Sequence, residues 1–450
     1  MYTISKEKVR LYMKEHGIST QKELAEQLGL SKNQLSMLLS PNYNPIKSNA
    51  MKLCETLNVK FDDIVDAEQM EFDLGIEEQN TKKVVYPKNS NKKKQEDDIN
   101  DFIEIRNVKA NKDYKVLELF AGAGGLALGL EQAGFDSIGN VEIDKHACNT
   151  LRKNRPEWNV IQEDIEKITE NGIDNYIDAP TGGELDLLSG GYPCQAFSYA
   201  GKKGGLQDAR GTMFYHYAKV LEKLKPKMFL AENVKGLVNH DGGNTLKTML
   251  DVFSEIGYTV KWKVLRALDY DVAQKRERIV IVGIRNDLAN HENLEYLFPK
   301  PYGYELTLKD ILKDVPESEG VKYPESKRKV LEHVPAGGYW RDLPDEIAKQ
   351  YMGKSYYSGG GRTGMARRIS WDEPSLTLTC SPSQKQTERC HPDETRPFTV
   401  REYARIQSFP DSWQFGSSVG NAYKQIGNAV PVNMAKAVGL SIVNVLNQIK

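Results

Sequence analysis

At 450 residues, with 39% hydrophobic and 27% charged residues, the chain holds enough apolar material for one large domain and smaller ones, since single cores stop growing near about 250–300 residues. A formal net charge of −1 excludes the strongly basic and strongly acidic classes and leaves any nucleic-acid affinity to local patches. Five scattered cysteines without CxxC spacing exclude a disulfide framework and a zinc site, no run approaches the about 20 apolar residues of a membrane span, and the charged N-terminus lacks a signal peptide's apolar core, so a cytoplasmic chain with reduced thiols, no metal and no membrane partner is expected.

Residues 1–67 read as short amphipathic helices, and QKELAEQLGLSKNQLSMLL at 21–39 has helix-turn-helix spacing. Ala25 is small where two helices must cross, Gly29 suits the left-handed turn, and Leu35 and Leu38 would pack the second helix back. Ser31 would cap that helix, which presents Lys32, Asn33, Gln34 and Ser36 to phosphates and base edges. The segment resembles the Cro/repressor-type DNA-binding domain, and an ordinary small all-α bundle is the competing reading. Residues 68–113 turn polar and read as a flexible charged linker. Their run Lys92-Lys93-Lys94 is read as solvated.

Beyond Tyr114 strands and helices alternate. Strands are expected at 115–120, 137–143, 159–163, 185–190, 228–232, 259–266 and 278–284, with a helix at 212–224 buried through Met213, Tyr217, Val220 and Leu224. The alternation implies an α/β fold with a doubly wound, Rossmann-like sheet over 114–295. Residues 296–395 lose the rhythm and read as an inserted irregular domain, after which 396–450 return to the core with a helix from 432 to 449.

Glu118-Leu-Phe-Ala-Gly-Ala-Gly-Gly125 stands at the first strand-to-helix turn, where an open parallel sheet binds its ligand. Glu142 follows at the end of the second strand and can accept both hydroxyls of a ribose, and Asp164 ends the third, placed for an adenine amino group. Each acid alone is equally a helix cap. In this order they favour an adenosyl ligand. The fourth strand runs into Gly191-Tyr192-Pro193-Cys194-Gln195-Ala196-Phe197-Ser198, which puts Cys194 at a strand's carboxyl end beside that pocket; burial as a small hydrophobe is the competing reading.

These blocks, with Glu232-Asn233-Val234, Gln274-Lys-Arg276-Glu-Arg278, Arg401-Glu-Tyr-Ala-Arg405-Ile-Gln and Gln425-Ile-Gly427-Asn428-Ala429, resemble the cytosine-C5 DNA methyltransferase family from Lys115 to the C-terminus. The resemblance implies an S-adenosylmethionine-dependent methyltransferase core and a target-recognition domain at 296–395. It makes Cys194 the covalent nucleophile, Glu232 the acid at cytosine N3, and Arg278, with Arg276 beside it, the partner of O2. It implies that Phe120, Ala121, Gly122, Gly124, Glu142, Ile143, Asp164, Ile165, Pro193, Asn428 and Ala429 line the S-adenosylmethionine site. Glu118 departs from the family's usual Asp. Residues 198–211 suit a loop closing over DNA, and Arg367 and Arg368 are expected to touch it. Double-stranded DNA is the expected partner, the chain's own promoter a second one through the helix-turn-helix, and one flipped base at a time needs only a monomer. An RNA cytosine methyltransferase, and a regulator on a non-catalytic scaffold, are the alternatives.

Overall fold

A computed structural model describes residues 3–30, 35–36, 38–39, 53–59, 65–66, 101–180, 182–193, 211–291, 293–357 and 364–449. The chain divides between residues 102 and 103 into two compact units. In the first, helix α1 (Lys6–Glu15) is capped by the Ser5 side chain and α2 (Gln21–Leu28) by Thr20. Helix α2 ends on Gly29 at φ +66, as the turn requires, and Leu24, Leu28, Leu35, Leu38, Leu53 and Leu57 meet in one core. Residues 3–4 pair antiparallel with 65–66. Ser36 is exposed; Ser31, Lys32, Asn33, Gln34 and residues 67–100 lie outside the described residues.

The second unit is built on a seven-stranded sheet. Its strands are β1 (Tyr114–Leu119), β2 (Phe135–Glu142), β3 (Val160–Gln162), β4 (Leu187–Gly190), β5 (Met228–Val234), β6 (Tyr258–Arg266) and β7 (Glu277–Arg285), in spatial order 3-2-1-4-5-7-6. The first five are parallel, and β7 runs antiparallel to both neighbours. Helices α3 (Gly125–Ala133), α4 (Lys145–Asn154), α5 (Ile165–Asn171), α6 (Met213–Leu224) and α7 (Asn244–Ile256) make the crossovers. The central strands are buried on both faces, so Leu117, Leu119, Leu188, Phe229 and Ile281 are continuous with Tyr217 and Val220 of α6 and Phe253 of α7 in one core. Strand order reverses between β1 and β4, which opens the crevice at their carboxyl ends.

Residues 103–113, expected as the end of the linker, belong to this unit. Ile105 is buried, and the Asn447 side chain accepts from Asn111 N and donates to Lys109 O. A polar sequence can dock where its backbone groups find fixed partners. The stretch Val419–Leu446 is, against expectation, long and apolar enough by composition to cross a membrane. It forms two helices separated at Pro431, and 67% of its most apolar window is buried in the fold.

Between 296 and 395 the chain has little sheet. Helices α8 (Glu325–Leu331) and α9 (Asp345–Met352) pack around Tyr323, Trp340, Leu343, Met365 and Cys390. Arg328 and Arg341 are exposed, but Arg367, Arg368 and Arg389 face inward, which corrects the expectation that Arg367 and Arg368 touch DNA. Arg368, 5% exposed, donates to the carbonyls of Val334, Leu331, His391 and Glu394 and to Thr395 Oγ1. Arg367 holds Gly337 O and the Glu373 carboxylate, and Arg389 holds Glu388 O and Thr377 O. Irregular backbone leaves carbonyls without ladder partners, and a guanidinium with five donors satisfies several at once.

Three more helices, α10 (Val400–Ile406), α11 (Val419–Asn428) and α12 (Val432–Leu446), return the chain to the sheet, with α12 packed along α3.

Candidate active site

The turn from β1 into α3 carries the crevice's floor. Phe120, at φ +58, reverses the backbone out of the strand, and Ala121 N donates to Val141 O on β2. Gly124, at φ +85, must lack a side chain for a second reason: a Cβ there would stand 2.7 Å from Leu151 and 2.9 Å from the Trp413 ring. The Trp413 indole in turn donates to Ala123 O at 3.2 Å. Arg155 stacks over Trp413 and Trp158 and pairs with Glu131 on α3, so the loop rests on an aromatic pillar.

At the end of β2 the two oxygens of Glu142 accept from Gly122 N and Asp144 N, both at 2.7 Å. Its carboxylate therefore bridges the glycine turn and the start of α4. The next side chain, Ile143, is 63% exposed although aliphatic, and stands beside that carboxylate. Asp164 is the N-cap of α5 through Glu166 N at 3.0 Å, and Ile165 after it is buried. Glu118 sits beneath the turn in the register of Asn140 and Ser189 on the flanking strands. Burial holds its carboxyl well above the usual carboxylate range, and the Ser189 hydroxyl and Ala127 N–H oppose this.

Strand β4 leaves the sheet at Gly190, and its last described residues are Gly191, Tyr192 and an exposed Pro193. Cys194 and the loop as far as residue 210 lie outside the described residues. The approach to Cys194 is nonetheless fixed. Tyr192 is buried against Phe214 and Tyr217, and its carbonyl accepts from Asn233 Nδ2 at 2.8 Å. Asn233 also accepts from Val234 N, so one buried amide ties the end of β4 to the end of β5. A Cβ on Gly191 would stand 2.8 Å from Glu232 Oε2, so this carboxylate lies directly over the strand that delivers Cys194.

Glu232 pairs with Arg278 Nε at 2.7 Å, the two side chains 12% and 13% exposed. They come together because β5 and β7 are antiparallel, with Val280 opposite Glu232 and Arg278 opposite Val234. Burial raises the Glu232 carboxyl above its ordinary range, and Arg278 and Arg276 pull it partly back. Arg276 differs from the expectation: it is 1% exposed and donates to Leu378 O, Gly427 O and Ala429 O, which commits both Nη atoms to backbone. Burial and the nearby Arg278 lower it to about 9. Asn428, exposed, and Ala429 end α11 at the same place.

The sequence reading missed Asn233, Trp413, Gln274 and Gln407. Gln274 Nε2 contacts Gln407 Oε1, whose own Nε2 holds Ile426 O and Ala429 O. Asn233, Gln274 and Gln407 fall inside the blocks that carry the family resemblance, and that membership is their one sequence signal. No group of three metal-ligating side chains occurs among the described residues.

The model for C-5 cytosine-specific DNA methylases matches residues 114–444, and that for Cro/C1-type HTH DNA-binding domains matches residues 8–69. A Type II methyltransferase of Staphylococcus aureus, M.Sau96I, is 57% identical over 97% of both chains. Another of Escherichia coli, M.Eco47II, is 58% identical over 76% of this chain and 81% of its own. Among solved structures, the Dnmt2 methyltransferase of S. pombe superposes with a TM-score of 0.51 at 18% identity, over 75% of this chain and 99% of that one, a likeness of fold.

Proposed function

The chain belongs to the C-5 cytosine-specific DNA methylase family, and from that premise we propose that it methylates carbon 5 of a flipped-out cytosine in a specific duplex sequence, with S-adenosylmethionine as donor and as the modification enzyme of a restriction-modification system. The observation that carries this reading is the buried Glu232–Arg278 pair lying over the strand that runs into Cys194, beside the crevice at the ends of β1 and β4.

The crevice fits the donor. Glu142 offers carboxylate oxygens for ribose hydroxyls, the exposed Ile143 offers an aliphatic face for an adenine ring, and Asp164 stands at the next strand end for its amino group. Phe120, Ala121, Gly122, Gly124, Ile165, Pro193, Asn428 and Ala429 complete the lining. When bound, S-adenosylmethionine supplies an electrophilic methyl group for C5.

The residues do the rest. The Cys194 thiolate adds to C6 and breaks the C5–C6 double bond, which makes C5 nucleophilic. Glu232, whose proton burial favours, donates to N3, and Arg278 donates to O2 as negative charge gathers there. A solvent base then removes the C5 proton, the C6–S bond breaks to return the thiolate, and N3 gives its proton back to Glu232 as the C5–C6 double bond re-forms. Arg276 has the scaffold partners given above and acts by holding the site's backbone. Reaching C5 and C6 requires the base to leave the stack, at about a few kcal/mol.

The helix-turn-helix supports a second role, binding of the protein's own promoter, with the enzyme acting as a cytoplasmic monomer. Expressing the gene in a host with a plasmid and mapping methylated cytosines tests the first reading. One sequence context, modified at C5, is expected; unmodified DNA with modified RNA refutes it. Removing residues 1–67 should leave methylation intact and abolish the promoter footprint, and a persisting footprint refutes the second role.

A further inference from the structure

The backbone of the recognition segment is joined to the proposed donor site through one buried guanidinium. Ser375 and Leu376 run parallel to Gln274 and Lys275. Just beyond, Leu378 is held on both sides: its N–H donates to Gln274 Oε1 at 2.9 Å, and its carbonyl accepts from Arg276 Nη1 at 3.3 Å. The other arm of Arg276, Nη2, donates to Gly427 O and Ala429 O, both at 3.0 Å, the carbonyls on either side of Asn428.

The two backbones also touch directly. A Cβ on Gly427 would stand 2.3 Å from Thr379 O, so only glycine lets α11 lie against the segment at 377–381. The exposed Cys380 thiol donates to Asn428 Oδ1 at 3.0 Å, and Tyr403 OH accepts from Thr379 N and donates to Thr379 O. Near this segment Ser381, Gln384 and Gln386 are exposed. Arg276 is 1% exposed and close-packed, and Arg278 and Glu232 stand near it. A shift of the Leu378 carbonyl therefore passes to the Gly427–Ala429 turn and is not absorbed by solvent.

We propose that Arg276 is a positioning residue that couples engagement of the DNA target by the segment at 377–381 to seating of the methyl donor at the Gly427–Ala429 turn. The proposal rests on the reading of both sites given above. Coupling of this kind is reciprocal: target DNA tightens the donor by the factor by which donor tightens DNA.

The test measures binding of S-adenosylhomocysteine, the unreactive product, to the full chain by calorimetry, alone and with the duplex identified by methylation mapping. In the native chain the duplex should tighten binding by about fivefold or more. In Arg276→Lys, whose single ammonium cannot span both sides, that factor should fall to within about twofold of one, whatever the change in Kd without DNA. An unchanged factor in Arg276→Lys, or no factor in the native chain, overturns the proposal. A purely structural role would weaken both measurements equally and leave their ratio intact, which also overturns it. If Arg276→Lys does not fold, Arg276→Gln, which removes the buried charge and can hold one side only, is read the same way: a ratio fallen toward one supports the coupling, and an unchanged ratio refutes it. A native chain that neither binds the product nor methylates DNA would instead sink the proposed function.

Discussion

Replacing Arg368 by Met separates a structural arginine from a DNA contact. The guanidinium is 5% exposed and makes five hydrogen bonds, four to backbone carbonyls and one to Thr395. At a net worth of about 0.5–1.5 kcal/mol each the set sums to about 3–7 kcal/mol. Methionine keeps the apolar stem, and water reaching the outer carbonyls recovers part, so a loss of about 3–5 kcal/mol is expected. Urea unfolding followed by tryptophan fluorescence reads it, since Trp340 and Trp371 lie in the same region. A phosphate contact would behave oppositely: stability unchanged, and the slope of log K for DNA against log salt reduced by about 0.9. That pattern would refute the inward assignment and the argument that irregular backbone recruits these arginines.

Glu232→Gln should lower methyl transfer by about 10²–10⁴-fold with donor binding retained, as removal of a positioned acid does. Because burial raises the Glu232 carboxyl, its proton is present below that raised value and lost as pH rises through it, so the native rate should fall on this alkaline side and the variant should lack the fall. Trp413→Phe keeps an aromatic ring but leaves Ala123 O without its donor, and should weaken S-adenosylmethionine binding by about tenfold, from an unpaired carbonyl worth about 1–3 kcal/mol, read by calorimetry. Glu118→Gln mimics the protonated carboxyl and should match the native stability to within about 1 kcal/mol below the ordinary glutamate range and exceed it at neutral pH. The native chain, whose Glu118 is raised by burial, should lose stability as pH rises above the ordinary glutamate range, and the variant should not carry that loss.

The sheet was legible because its signals are local. Apolar runs bounded by turns marked the seven strands to within a few residues, and Glu142 and Asp164 announced themselves at strand ends. The reversal of β7 was not read: an antiparallel return needs no crossover helix, and the short segment between 266 and 277 gives no periodicity. Arginine was the hardest residue. Arg276 reaches carbonyls 151 and 153 positions away, and Arg368 reaches Leu331 37 positions back, distances over which sequence says nothing about whether a guanidinium will meet a phosphate or a peptide. Residues 103–113 look like linker in sequence for the same reason: their partner, Asn447, is at the other end of the chain.

The central claim is that Cys194 attacks a cytosine extruded from DNA. A duplex carrying 5-fluorocytosine at the mapped target, incubated with the chain and S-adenosylmethionine, tests it, because fluorine at C5 cannot be removed as a proton and the C6–S bond cannot then break. The native chain should give a covalent protein–DNA adduct stable to detergent and Cys194→Ser none; no adduct from the native chain, or one of equal yield from the variant, would contradict the account.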